Sequence, residues 1–256
     1  MKTSRSRLIG IGAVISALGL WYVLTVLTQT IGTSRFPAPA DVWGALKQIS
    51  VQGYADAKLW RHILQSTGLV LMGFATAASF GVVLGLLMGW SRRAEALLNP
   101  VFLLLRPIPP LAWIPLAIVW LGLGDAAKVL VIFMAAFVPA VINTYTGVRS
   151  MEPQIIEASS MLGASGWRFV REVLVPAAAP HIFTGLRLSL QASWTTLVAA
   201  ELVGALYGLG QVLNNAAQDI YPGMILVGMA FVGLCGGLMT AGLAWLERAA
   251  MPWRAA

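Results

Sequence analysis

Gln191, Trp194, Thr195 and Glu201 stand together in one short stretch that also holds Ser193 and Thr196, a polar interruption in a largely apolar chain. Spacings near three, four and seven residues let several of them share a helix face. Amide and hydroxyl donors suit the oxygens of a small oxyanion, and the Glu201 carboxylate suits an ammonium group. For each residue the alternative is an interhelical hydrogen bond or a gate contact. Arg106 and Arg187 could attract an anion, or simply reach for the membrane surface.

A second polar region, residues 157–176, lies between long apolar runs. Glu157–Leu162 predicts a turn or two of helix. Gly163 then falls where a helix stop requires φ > 0, which glycine adopts at least cost. Ser165 is placed to cap a second short helix over Trp167–Val173, with Pro176 ending it. The expected product is a stiff helix–turn–helix that presents Ala158, Met161 and Leu162 beside Glu157 and Ser159. Such a knob transmits movement where a floppy loop cannot. The competing reading is an amphipathic segment lying on the inner leaflet.

Other chemistry is absent from the sequence. It has no Gly-x-x-x-x-Gly-Lys-Ser/Thr phosphate loop and no Gly-Lys pair. The spacing shows no metal cluster and no nucleophile–base arrangement. His62 and His181 are expected at opposite membrane boundaries. The single Cys235 excludes an internal disulfide and reads as a small packing residue. The chain is therefore expected to be no enzyme by itself, with no metal and no cofactor of its own.

The elements that must position these residues are membrane helices. Of 256 residues, 58% are hydrophobic and 11% charged, against roughly 25% charged in soluble domains. Uncharged runs are long enough to cross a bilayer, which takes about 20 residues as a helix. Period-two alternation is missing, which argues against a β-barrel. The fold class expected is an all-α polytopic membrane protein, one transmembrane domain over 1–256. Six spans are expected at 9–28, 68–90, 97–121, 127–148, 182–204 and 223–245, with a cytoplasmic loop at 150–178. The basic N-terminus before the first span resembles a signal peptide. However, its apolar run exceeds the usual 7–15 residues or so, and an uncleaved helix is expected.

The net charge of +7 comes from basic residues at the ends of apolar runs, not from a basic face with interleaved aromatics, so nucleic acid is not expected. Lys and Arg set the orientation. With the N-terminus inside, Lys2, Arg5, Arg7, Arg92, Arg93, Arg149, Arg168, Arg171, Arg248 and Arg254 are internal. Arg35, Lys47, Lys58, Arg61 and Lys128 are external. Ten against five places both termini, and the 157–176 region, in the cytoplasm.

Residues 29–67 are then the longest external segment, with Asp41 read as the N-cap of a short interfacial helix. Gly73, Ala77, Gly81, Gly85 and Gly89 predict a groove for a second helix, and Gly233, Gly237 and Ala241 repeat the device. Pro107, Pro109 and Pro110 cannot continue an α-helix. A break is expected there, restarting near Pro110. The freed carbonyls would need cover from protein or a cavity, as a packing kink or as part of a pathway.

The 157–176 region resembles the EAA loop by which membrane subunits of bacterial ABC importers engage their ATPases. That pattern is Glu-Ala-Ala, three residues, Gly, nine residues, then Ile-x-Leu-Pro. Here it reads Glu157, Ala158, Ser159, then Gly163, then Ala164 to Glu172, then Val173, Val175 and Pro176, with Ser159 and the valines as departures. Residues 106–116, Trp120 to Gly124, Trp194 to Glu201 and Tyr207 to Gly210 resemble the nitrate/sulfonate/taurine/bicarbonate permeases. Trp194 to Glu201 and Pro252-Trp253-Arg254 are most similar to the taurine and aliphatic sulfonate members. The resemblance implies a type I ABC importer permease (MetI-like) fold with cytoplasmic coupling helices, in the bacterial inner membrane. It implies a homodimer, two ABC ATPase subunits that hold ATP and Mg, and a periplasmic or lipid-anchored solute-binding protein. The expected function is import of a small sulfonate such as taurine, or a related oxyanion, by alternating access. Within the family, nitrate, bicarbonate or a thiamine-precursor-like solute is the alternative. From other classes, the alternatives are an ATP-independent secondary transporter or a scaffold. Embedded carboxylates and inverted repeats would favour the former; the chain offers Glu201 and no repeat.

Overall fold

The computed structural model describes residues 12–13, 15–16, 18–28, 36–204 and 206–254, and every described element is helical. In chain order the helices are α1 (Leu18–Leu27), α2 (Pro39–Val51), α3 (Leu59–Trp90), α4 (Arg92–Leu105), α5 (Ile114–Leu121) and α6 (Asp125–Arg149). They are followed by α7 (Pro153–Met161), α8 (Gly166–Phe169), α9 (Val175–Gly204), α10 (Leu209–Gln218) and α11 (Pro222–Ala250). Among the described residues four helices are long and apolar enough to cross a membrane, and a bent pair makes a possible fifth. The expected span 9–28 is represented by the shorter α1, with residues 9–11, 14 and 17 outside the described set. Residues 29–35 of the external segment lie outside it too.

Several expected boundaries move. The 32 residues of α3 begin at Leu59 rather than 68. At 1.5 Å per residue they are about 48 Å long, against a hydrocarbon core of about 30 Å. The expected span 97–121 is two helices bent by 86°. Pro107, Pro109 and Pro110 supply no donors at the bend. The chain restarts as a 3₁₀ turn at Pro110–Trp113, with Ala112 N–H on Pro109 O at 2.9 Å, before α5 begins. Asp41 is not the N-cap of α2. Proline suits the first helical position, so the helix starts at Pro39 and Asp41 falls at the third position. There its carboxylate accepts the Ala38 N–H at 3.0 Å.

The chain divides into two compact units, residues 1–63 with 206–231 and residues 64–205 with 232–256. The first is organised around His62, which is fully buried. Gly208 N–H donates to its Nδ1 at 3.0 Å, so the ring proton sits on Nε2 and is donated to Tyr54 O at 2.9 Å. The Tyr54 hydroxyl donates to Asp219, while burial and that carboxylate push its phenol well above the usual range. Arg61 lies over the Tyr207 ring at 4.1 Å.

In the second unit α6 is the central rod. A Cβ built on Gly73, Gly81, Gly85 or Gly89 of α3 would lie 2.5–2.7 Å from side chains of Ile132, Ala140, Thr144 and Val148, all on α6. Only glycine permits that approach. On its other side α6 meets α9, where Gly185 faces Asn143 and Gly147 faces His181. Ser189 of α9 donates to Ala136 O at 2.6 Å. Near its end Tyr145 and Arg149 both bond Glu95 of α4.

Candidate functional site

α6 hands the chain into α7, and the turn that follows is fixed by its backbone. Gly163 has φ +78°. Its N–H donates to Ser160 O and the Ala164 N–H to Ser159 O, both at 3.0 Å. This pair of bonds closes a Schellman stop and satisfies the last carbonyls of α7. Ser159, in the place of the pattern's second Ala, is buried and donates back to Ile156 O at 2.8 Å. Glu157 and Ala158 are exposed. Behind the turn, Val148, Val170, Leu174, Ala178 and Ile182 form an apolar cluster packed by Met151 and Phe169. At the tip Met161 is 86% and Leu162 84% exposed, with Trp167 also bare. An anchored base thus carries an apolar tip, the exposure expected of an interaction surface rather than of a core.

Pro176 does not end a helix. α8 runs into a π turn at Val170–Leu174 and on into α9, where Pro176 is the second residue. A widened turn makes room for a ring that would otherwise clash with the carbonyl one turn back. The helix expected to start at 182 is therefore continuous from Val175. Ser165 occupies the N-cap of α8 without a side-chain cap bond, and Gly166 after it takes φ +54°.

The four polar residues of α9 divide between two faces. Gln191 and Thr195 are exposed, and Thr195 Oγ1 donates to Ala192 O at 3.0 Å. Trp194 and Glu201, seven residues apart, are buried. Trp194 lies over Gly236 of α11, and its Nε1 has no hydrogen-bond partner among the described residues. Glu201 is fully buried and accepts the Ser66 hydroxyl of α3 at 2.8 Å. The structure thus brings Gln191 and Thr195 together, and makes Glu201 a tie between α9 and α3. Arg187 pairs with Glu247 of α11. Arg106 caps the end of α4 beside the proline break.

Sequence reasoning counted Lys128 only as an external charge. In the structure it is buried near the start of α6, 3.2 Å from Asp125, which also accepts the Gln65 amide at 2.7 Å. A lysine amid Ala127, Val129 and Val131 was the available signal. The two histidines do different things: His62 is the buried centre of the first unit, and His181 is exposed in the second, 3.5 Å from Ser150 Oγ. No three His, Cys, Asp or Glu side chains among the described residues are grouped to hold a metal.

Apolar spans, a proline-broken span and an exposed helical turn define an integral membrane subunit. The chain belongs to the family of binding-protein-dependent transport system inner membrane components, which residues 81–252 match. It is 36% identical over 251 residues to the taurine transport system permease protein TauC of Escherichia coli K12, covering 98% of this chain and 91% of that one. It is 32% identical to the putative aliphatic sulfonates transport permease protein SsuC of Bacillus subtilis, covering 93% and 84%. The bicarbonate transport system permease protein CmpB of Synechococcus elongatus is also 32% identical, at 97% and 92%. A chain of the MetNI methionine ABC transporter, in an inward-facing structure, shares the fold with a TM-score of 0.65 at 19% identity. That likeness covers 75% of this chain and 95% of the other. By its description the family works with a binding protein.

Proposed function

We propose that this chain is the permease through which a separate ATPase drives import of a small sulfonate, taurine among them, or a related oxyanion. The observation that carries the reading is the rigid, apolar-tipped turn at 157–167 in a chain otherwise suited to lipid. The relatives that transport taurine, sulfonates and bicarbonate supply the substrate class. Glu157, Ala158, Met161 and Leu162 meet the ATPase in this reading, Ser159 and Gly163 hold them in place, and Pro176 belongs to the continuous lever into α9. Both termini and the turn face the cytoplasm, as the Lys and Arg distribution favours. Two copies of the chain enclose the path and two ATPase subunits bind beneath, with ATP and Mg held there. The exposed Gln191 and Thr195 face the solute, whereas Trp194 and Glu201 hold the helix.

The test is uptake of labelled taurine, methanesulfonate, nitrate and bicarbonate into proteoliposomes containing the chain, its ATPase and its binding protein. Replacing Met161 and Leu162 together by Glu should abolish ATPase co-purification and uptake, since desolvating two carboxylates at an apolar interface costs several kcal/mol. Uptake that persists without the ATPase would make the chain a secondary transporter instead.

A further inference from the structure

A recess in the second unit, between α5, the start of α6 and the end of α9, is lined by one charged side chain. Its walls include Ile114, Ile118, Leu123, Val131, Ala200 and Gly204, and the exception to this apolar lining is Lys128. Its centre has about 20 Å³ of free volume, within about 280 Å³ of unfilled space that opens outward. Room of that size seats one water-sized group, such as a single oxygen of a larger anion.

We propose that Lys128 and this recess form an oxyanion site at the outer mouth of the pathway, taking one oxygen of a sulfonate, nitrate or bicarbonate. The inference rests on the permease reading above and adds a named site to it. Three observations carry it. First, the Lys128 side chain is only 9% exposed, and a lysine buried to that degree gains from a further anionic partner. Second, its pairing is lopsided. Asp125 is 56% exposed at the side chain and shared with Gln65, so water screens its half of the pair. An ammonium has three donors, and Asp125 is the one partner that Lys128 has among the described residues. Third, the place is right. Lys128 and Arg149 bound 21 residues of rise along one helix (149 − 128 = 21), about 31 Å at 1.5 Å each. That matches the hydrocarbon core of about 30 Å, so the recess lies across the membrane from the coupling turn. A shallow seat that holds part of a solute also suits a pathway, where binding must be weak enough to let go.

The experiment uses the whole transporter in proteoliposomes, with the same four labelled anions. Lys128→Met should lower uptake about tenfold or more, the loss of a charged hydrogen bond, with complex yield and basal ATP hydrolysis unchanged. Lys128→Arg keeps the charge on a different head group and should stay within about threefold of the parent. Asp125→Asn separates this from a structural ion pair. It loses the pair but keeps the ammonium, so its uptake should fall clearly less than that of Lys128→Met. Uptake by Lys128→Met equal to the parent overturns the proposal. So does an Asp125→Asn loss as deep as that of Lys128→Met, which would make the pair a fold element. A Lys128→Met defect seen with phosphatidylglycerol vesicles and absent with phosphatidylcholine alone would assign Lys128 to a lipid headgroup and also overturn it. Should Lys128→Met fail to assemble, the contrast between Lys128→Arg and Asp125→Asn decides. If the parent transports none of the four anions, the substrate reading itself fails, and that is seen before any variant is made.

Discussion

Two helices of the second unit carry small residues at the same four-residue spacing, and only one of the two stripes is covered. On α3, Gly73, Ala77, Gly81 and Gly85 are buried under α6. On α11, Gly233, Gly237 and Ala241 are exposed, and a Cβ built on Gly233 or Gly237 meets nothing within 4 Å among the described residues. Spacing therefore states how near a neighbour can come. Whether one comes depends on what the neighbour offers. α6 presents Ile132, Ala140, Thr144 and Val148 in register with the α3 glycines. On α11 the glycine that meets α9 is Gly236, one position off the stripe, under the Trp194 ring.

The deepest break in this comparison comes from filling the covered stripe. Gly81→Leu puts a Cβ 2.7 Å from Ala140 Cβ and 3.2 Å from Phe137 O, the second being backbone that cannot swing aside. The helices must part, and overpacking of this kind costs about 3 kcal/mol. Thermal unfolding of the detergent-solubilised chain should show a large drop. A midpoint within a degree or two of the parent would mean that α3 and α6 are not tightly apposed. Next in size is Ser66→Ala, which removes one donor from the buried Glu201 carboxylate. Leaving a buried polar group short of a partner costs about 1–3 kcal/mol. Glu201→Gln retains an acceptor for Ser66 and should lose less in the same measurement; the reverse order would refute the tie between α9 and α3.

The covered stripe and the open turn were legible in the sequence for different reasons. A glycine at a helix stop answers a one-residue demand, φ > 0, so Gly163 could be read alone. The α3 stripe needed only its own period. What could not be read was anything set by a neighbour. The spacing of Gln191, Trp194, Thr195 and Glu201 says which of them align, but not which pair turns inward. The packing of α3 and α11 decides that. Pro176 was misread because a π turn, a property of Val170–Leu174 as a group, leaves no single-residue mark. The prolines at 107–110 marked the break, while its 86° angle depends on what α5 packs against, here Ala127 and Val131. Lys128 was missed because a charge tally by side of the membrane ignores burial.

The open turn gives a smaller and differently placed effect. Gly163→Val meets no neighbour, since nothing lies within 4 Å of its Cβ, but it must hold φ +78°. That strain is worth about 1–2 kcal/mol, borne locally by the stop of α7. The unfolding midpoint should shift little, while ATPase co-purification falls. A variant that keeps the ATPase and full uptake would disprove the stiff-turn reading.

The mildest change should come from the mirror of the first experiment. Gly237→Leu adds to the exposed stripe of α11 the same side chain that Gly81→Leu adds to the covered one of α3. Helix propensity favours the leucine over glycine by a few tenths of a kcal/mol or more, and no described atom opposes it. The midpoint should stay within about 0.5 kcal/mol of the parent, or rise slightly. Made as a pair and measured in one detergent, the two variants differ only in whether a neighbour is present. A fall for Gly237→Leu comparable to that for Gly81→Leu would show the α11 stripe to be occupied in the assembled protein, and the contrast between the stripes would then belong to the single chain alone.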